Sequence, residues 1–234
     1  MTAAESRTQL RAAVFTRDVH GLLRLLEGDG WPSDALQLIG DGLIDALRSG
    51  VGEAADPARR CVAELRARGW DGDHVLAEAL EVALGTDPVH RLRPVPVDLE
   101  DIATALDGGF PDETEIDLIT GDLRFGPDAD IDDEDDGQER EWLPIEAWGS
   151  TDGYRDLQAF IAQLDDDEVA DRLSAAIDGR GAFRRFKDTI ARWPDLRATW
   201  FAFSEERQRG RARDWLADEG FTPVRERMLG SAGQ

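Results

Sequence analysis

TEIDLITGDLRF, residues 114–125, is where an otherwise helical chain changes its period. Ile116 and Leu118 alternate with Glu115 and Asp117, Thr120-Gly121 supplies a tight turn, and Leu123 and Phe125 alternate with Asp122 and Arg124. A two-residue period with one apolar and one charged face predicts a β-hairpin. EWLPIEAW, residues 141–148, adds a short third strand, and Pro144, which has no N–H to donate, places it at a sheet edge. Before the hairpin, VDLEDIATAL sets Leu99, Ile102, Ala103 and Leu106 on one side of a short helix with Asp98 as its N-cap. From Asp152 helical spacing resumes: Tyr154, Leu157, Phe160, Ile161 and Leu164 form a stripe. DDDEVADRLSAAI then opens with carboxylates, which suit a helix start, and turns Val169, Leu173 and Ile177 inward. Gly179 and Gly181 break the chain, a further helix runs to Trp193, Pro194 ends it, and a last one carries Trp200, Phe203 and Trp215. The expected class is α+β, a small antiparallel sheet packed against several helices.

Residues 1–93 read as helices throughout. Leu22, Leu23, Leu25 and Leu26 form an apolar patch, GDGWPSD interrupts it, and Leu36, Ile39, Leu43, Ile44 and Leu47 resume at helical spacing. A shift of 39 residues superposes Leu22 on Cys61, Leu26 on Leu65, Gly30 on Gly69, Trp31 on Trp70 and Asp34 on Asp73. The shared order of helix, Gly-Trp turn, Asp cap and helix is compatible with two stacked helical hairpins. Pro88, Pro94 and Pro96 in TDPVHRLRPVPVD mark a boundary, giving an N-terminal all-helical module of residues 1–93 and an α+β domain of residues 94–234.

Composition bounds the function. The 234 residues carry a formal charge of -23, with 50 acidic against 27 basic side chains. That balance argues against non-specific coating of DNA and against an anionic membrane surface. The charge is uneven: residues 94–170 hold 25 acidic and 3 basic groups, whereas residues 171–234 hold 10 acidic and 13 basic. A single cysteine, Cys61, forms no internal disulfide, and no apolar run reaches the roughly 20 residues of a membrane span, so a cytoplasmic location is expected. Lys187 is the one lysine beside 26 arginines, and asparagine is absent, a bias that reads as a GC-rich genome.

The string DGRGAFRRFKDTIARWPDLRATWFAF, residues 178–203, followed by RARDWLADEG, resembles a bacterial protein family of unknown function. The resemblance extends upstream through VDLEDIATAL, TGDLRF and EWLPIE to cover about Val97 to Val224, and it is most specific in GAFRRFKD and in the spacing of Trp200, Phe203 and Trp215. It implies a fold unit and no substrate. Residues 1–93 lie outside it.

GAFRRFKD also has its own physics. On a helical wheel Phe183, Phe186, Ile190 and Trp193 share a face, Arg185, Asp188 and Arg192 point away, and Lys187 falls beside the apolar stripe. Arg180, Arg184 and Arg185 sit at a helix start, where the dipole disfavours cations, so an anion is expected nearby. One reading is a phosphate-bearing ligand or nucleic acid held by the N–H groups after Gly179 and Gly181 with Arg180, Arg184, Arg185 and Lys187. The other is internal pairing with the acidic segment of residues 94–170.

GPDADIDDEDDG, residues 126–137, places Asp128, Asp130, Asp132 and Glu139 at calcium-loop positions one, three, five and twelve, but Asp133 stands where the sharp turn needs glycine, so it is not an EF-hand. Residues 126–141 could instead imitate a phosphate backbone and bind a basic protein partner. His20, His74 and His90 follow no ligand spacing, carboxylate pairs such as Glu100 and Asp101 are too common to single out, and Cys61 falls on a buried face. No catalytic residue, metal ligand or cofactor is assigned. The expectation is a non-catalytic cytosolic interaction or regulatory protein with an anion-binding edge at residues 179–187. The alternatives are an acidic mimic or inhibitor acting through residues 126–141, and a metal-dependent carboxylate hydrolase.

Overall fold

The computed structural model describes residues 3–28, 30–86, 92–111, 113–126, 140–149 and 151–224. Five helices come first: α1 (Ala3–Phe15), α2 (Val19–Leu25), α3 (Leu36–Arg48), α4 (Ala55–Arg68) and α5 (Asp73–Ala83), with 3-10 turns at Ser33–Ala35 and Gly52–Ala54. Next are β1 (Arg93–Val95), α6 (Leu99–Leu106), β2 (Thr114–Asp117), β3 (Leu123–Phe125) and β4 (Trp142–Ile145). Last come α7 (Thr151–Ile161), α8 (Asp167–Ile177), α9 (Ala182–Ile190), α10 (Pro194–Asp218) and β5 (Phe221–Pro223). The chain is α+β, as its pattern predicts, and among the described residues no helix is long and apolar enough to cross a membrane.

Three apolar clusters hold it together, and the 25-residue α10 meets two of them. Helices α1 to α5 enclose Leu22, Ile39, Leu43, Cys61, Leu65, Leu76 and Leu80. The three-stranded sheet and α6 enclose Val95, Ile102, Leu106, Ile116 and Ile145 with Ala212 and Leu216 of α10. Helices α7 to α9 close over Leu157, Phe160, Leu173 and Phe186 with Trp200 and Phe203. Edge-to-face rings tighten this third cluster: the centroids of Phe186 and Trp200 lie 4.9 Å apart at 67°. Pro194 opens α10 at its first turn, where a missing N–H removes nothing.

The hairpin pairs Thr114 with Phe125 and Ile116 with Leu123, and β4 pairs with the other edge of β2, giving the order β3-β2-β4. Pro144 therefore sits on an edge strand, as its missing donor requires. Asp117 departs from the charged face that alternation assigns it and is fully buried. Its carboxylate accepts from Ile119 N at 2.9 Å and Glu141 N at 3.2 Å, so it caps the turn and ties β4 to it. Gly121, at φ 81°, lets that turn press on Pro96, whose carbonyl oxygen would lie 2.0 Å from a Cβ there.

Sequence patterning also misses a second, parallel pair, β1 with β5, which joins Pro94 to Thr222 in register. Asp34 and Asp73 are not helix caps either. The N-cap residues of α3 and α5 are Ala35 and Gly72; Asp34 pairs with Arg7, and Asp73 pairs with Arg68 while also accepting from Trp70 N at 2.8 Å in the turn before α5.

Candidate functional site

Helix α10 presents a polar stripe, Glu206, Arg209 and Arg213, to helices α3 to α5. Arg213 Nη2 lies 2.7 Å from Asp41 Oδ1, Arg209 Nη2 lies 2.6 Å from Asp41 Oδ2, and Arg213 Nε donates to Gln37 Oε1 at 2.8 Å. Glu206 accepts from Gln37 N at 2.6 Å and from Arg68 at 2.8 Å, and Arg68 also holds Asp73 at 2.5 Å. Burial pushes the Asp41 carboxyl up, but Arg213 and Arg209 together outweigh it and hold the group below its ordinary value. At Glu206 burial prevails over Arg68, and the carboxyl is raised. The seam between the first five helices and α10 is thus a buried chain of ion pairs, each group of which needs its partner.

Beside this seam, α1, the Ser33–Ala35 turn, α6 and α10 enclose a cleft of about 660 Å³. Leu38, Leu99, Ala103, Ala198, Phe201 and Ala202 supply its apolar lining, and the Phe201 ring is 48% exposed. Arg7 and Asp34 form a two-pronged pair at 2.8 and 2.5 Å on one wall. Across the mouth reaches Arg11: its Nη1 donates to Glu205 at 2.6 Å and its Nη2 lies 3.3 Å from both Glu100 oxygens. All three side chains are half exposed. Arg209 Nη1 stands 3.6 Å from Glu100, and Gln208 donates to Asp107 at the same rim. One guanidinium therefore links three helices that are distant in sequence.

The residues singled out by sequence lie elsewhere. Gly181 adopts φ 76° and starts α9 without a side-chain cap, Gly179 adopts φ 77°, and Arg180 is exposed. Arg185 lies on the exposed side of α9, yet its guanidinium turns back onto the backbone. Its Nε donates to the Ala176 carbonyl at 2.9 Å and its other nitrogens to the carbonyls of Asp178, Gly179 and Arg180, because the end of α8 leaves acceptors unfilled. Arg184 is 90% exposed and 4.0 Å from Asp188, one turn on. Lys187 is exposed rather than tucked along the apolar stripe. Among the described residues, no carboxylate of residues 94–170 pairs with this cluster.

The acidic run at residues 127–139, with Asp128, Asp130, Asp132 and Glu139, lies outside the described residues, as does His90. Among the described residues no group of three or more His, Cys, Asp and Glu side chains is placed to hold a metal ion. His74 is exposed, 3.7 Å from Asp214. Cys61 is buried, and burial raises its thiol pKa far above the range in which a thiolate forms.

The cleft residues carry no local signal. Arg11, Glu100 and Glu205 are separated by 89 or more positions and meet only through the packing of α1 and α6 on α10. Phe201 offers a faint one, an aromatic residue out of step with Trp200 and Phe203 on the buried side of the same helix.

Residues 94–234 match the family described as Uncharacterised protein family (UPF0158). The UPF0158 protein PA5073 of Pseudomonas aeruginosa is 27% identical over 137 residues, which are 57% of this chain and 89% of that protein. No solved structure matches the chain.

Proposed function

From residue 94 onward the chain belongs to the Uncharacterised protein family (UPF0158), and on that premise we propose that it is a non-catalytic, cytoplasmic interaction or regulatory protein that binds a small ligand in the cleft beside α10. The reading rests on one observation: Arg11 reaches from α1 to Glu100 of α6 and Glu205 of α10 across an apolar hollow. A cleft of about 660 Å³ falls in the ordinary size range of small-molecule sites. Most polar groups around it are committed to one another, Arg7 to Asp34 and Glu206 to Arg68, so they set shape and charge rather than move protons. In this proposal residues 1–93 are a helical module that supplies one wall, and a ligand bridging α1 and α10 reports on how the two parts sit together.

A thermal-shift screen of a metabolite library tests this with the full chain and with Ala198→Trp, which fills the hollow. At least one compound is expected to raise the melting temperature of the wild type and leave the variant unmoved. Compounds that stabilise both proteins equally would overturn the assignment.

A second reading keeps the edge at residues 179–187 as an anion site. It is favoured by the exposure of Arg180, Arg184 and Lys187 beside the uncapped start of α9. Replacing Arg180, Arg184 and Lys187 together with Ala should then lower nucleotide binding at least tenfold, and an unchanged affinity would dispose of it.

A further inference from the structure

We infer that the cleft takes a small organic cation, a guanidinium or primary ammonium group on an apolar body, which replaces the Arg11 guanidinium between Glu100 and Glu205. This rests on the cleft being the binding site. The deeper ionised groups of its lining are already matched: Arg7 by Asp34, Arg209 by Asp41, Glu206 by Arg68. At the mouth the balance is different. Three carboxylates, Glu100, Glu205 and Asp107, line it; among the described residues Glu205 pairs with Arg11 alone, Glu100 adds to Arg11 a longer contact with Arg209 at 3.6 Å, and Asp107 accepts from the neutral amide of Gln208 within the field of Arg211.

An incoming anion meets that surplus as repulsion, and an incoming cation meets it as attraction. Arg11 itself demonstrates the fit, since one planar guanidinium reaches both Glu205 at 2.6 Å and Glu100 at 3.3 Å. Its two pairs are half exposed, and pairs of that kind are weak enough to exchange. Behind them Leu38, Leu99, Ala103 and Ala198 accept an apolar body, and the exposed ring of Phe201 offers its face to a cation or a chain. A volume of about 660 Å³ is that of an ordinary small-molecule site.

Calorimetric titration of the full chain with four eight-carbon probes, octylguanidinium, octylammonium, octanoate and octanol, separates head-group charge from apolar body. The two cations are expected to bind saturably and at least tenfold more tightly than octanoate or octanol. Replacing Glu100→Gln and Glu205→Gln together should weaken the cations at least tenfold. Arg11→Gln should tighten them severalfold, because it leaves both carboxylates to the ligand. Octanoate binding as tightly as the cations, indifference to the double replacement, or weaker cation binding by Arg11→Gln overturns the inference. If octanoate binds and Ala198→Trp abolishes it, the cation class falls and the cleft stands. If no probe binds, or Ala198→Trp changes nothing, both fall.

Discussion

Arg184 and Arg185 are adjacent, carry the same charge and do unlike things. Arg185 closes the end of α8 by donating to four backbone carbonyls, Ala176 among them at 2.9 Å, whereas Arg184 projects into solvent. Chemical denaturation should find Arg185→Ala destabilised by about 1–2 kcal/mol and Arg184→Ala within about 0.5 kcal/mol of the wild type. Equal effects would contradict this division of roles. The sequence shows that cations crowd a helix start, but it does not show that the preceding helix ends in unfilled carbonyls one residue's reach away. The same holds for Asp117: alternation places it outward, and only the arrival of Glu141 N from a distant strand explains why it is buried. Side chains that satisfy backbone groups across a break leave no periodic trace.

Elements were far more legible than contacts. The helices from α6 to α10 and the hairpin follow from spacing, caps and breakers, because each is decided by its own residues. The pair β1 and β5 was not legible, since three-residue strands containing Pro94 and Pro223 are too short to alternate, and they meet only because α10 returns the chain. The polar stripe of α10 was equally hidden, as Glu206, Arg209 and Arg213 read like a solvated face. One glycine shows how close that contact is. A Cβ on Gly210 would lie 2.2 Å from the Asp71 carbonyl oxygen, at the turn leading into α5. In an exposed helix Gly→Ala stabilises by about 1 kcal/mol. Here Gly210→Ala should destabilise by about 1–3 kcal/mol, because backbone on the facing side cannot yield as a flexible side chain does. A rise in melting temperature would show that the two helices do not approach as described.

On the scale of the whole molecule, the seam makes one body of parts whose sequences share no pattern. Asp41 sits between Arg209 and Arg213, so Asp41→Asn leaves the buried Arg213 without a carboxylate and Arg209 with only Glu100 at 3.6 Å, and should cost about 3 kcal/mol at pH 7. The pH dependence has a definite sign. A carboxyl held below its ordinary value, 3.8 for Asp41, contributes stability that is complete above that value and disappears as pH falls through the lower folded-state value. Glu206 is raised and acts oppositely, its contribution being complete below its ordinary value of 4.5 and lost as pH rises through the folded-state value. The gap between wild type and Asp41→Asn should therefore narrow in acid below about pH 4. A gap that stays constant from pH 7 to pH 2 would remove Asp41 from the ion-pair chain.

That seam also makes the cleft, since α1 contributes Arg7 and Arg11 and the family domain contributes Glu100, Phe201 and Glu205. Hydrogen–deuterium exchange of the full chain, with and without saturating octylguanidinium, tests the joint site most directly. Slower exchange is predicted together in residues 7–11, 99–104 and 198–209. Slowing confined to one side of the seam, or found only at residues 179–187, would contradict the assignment.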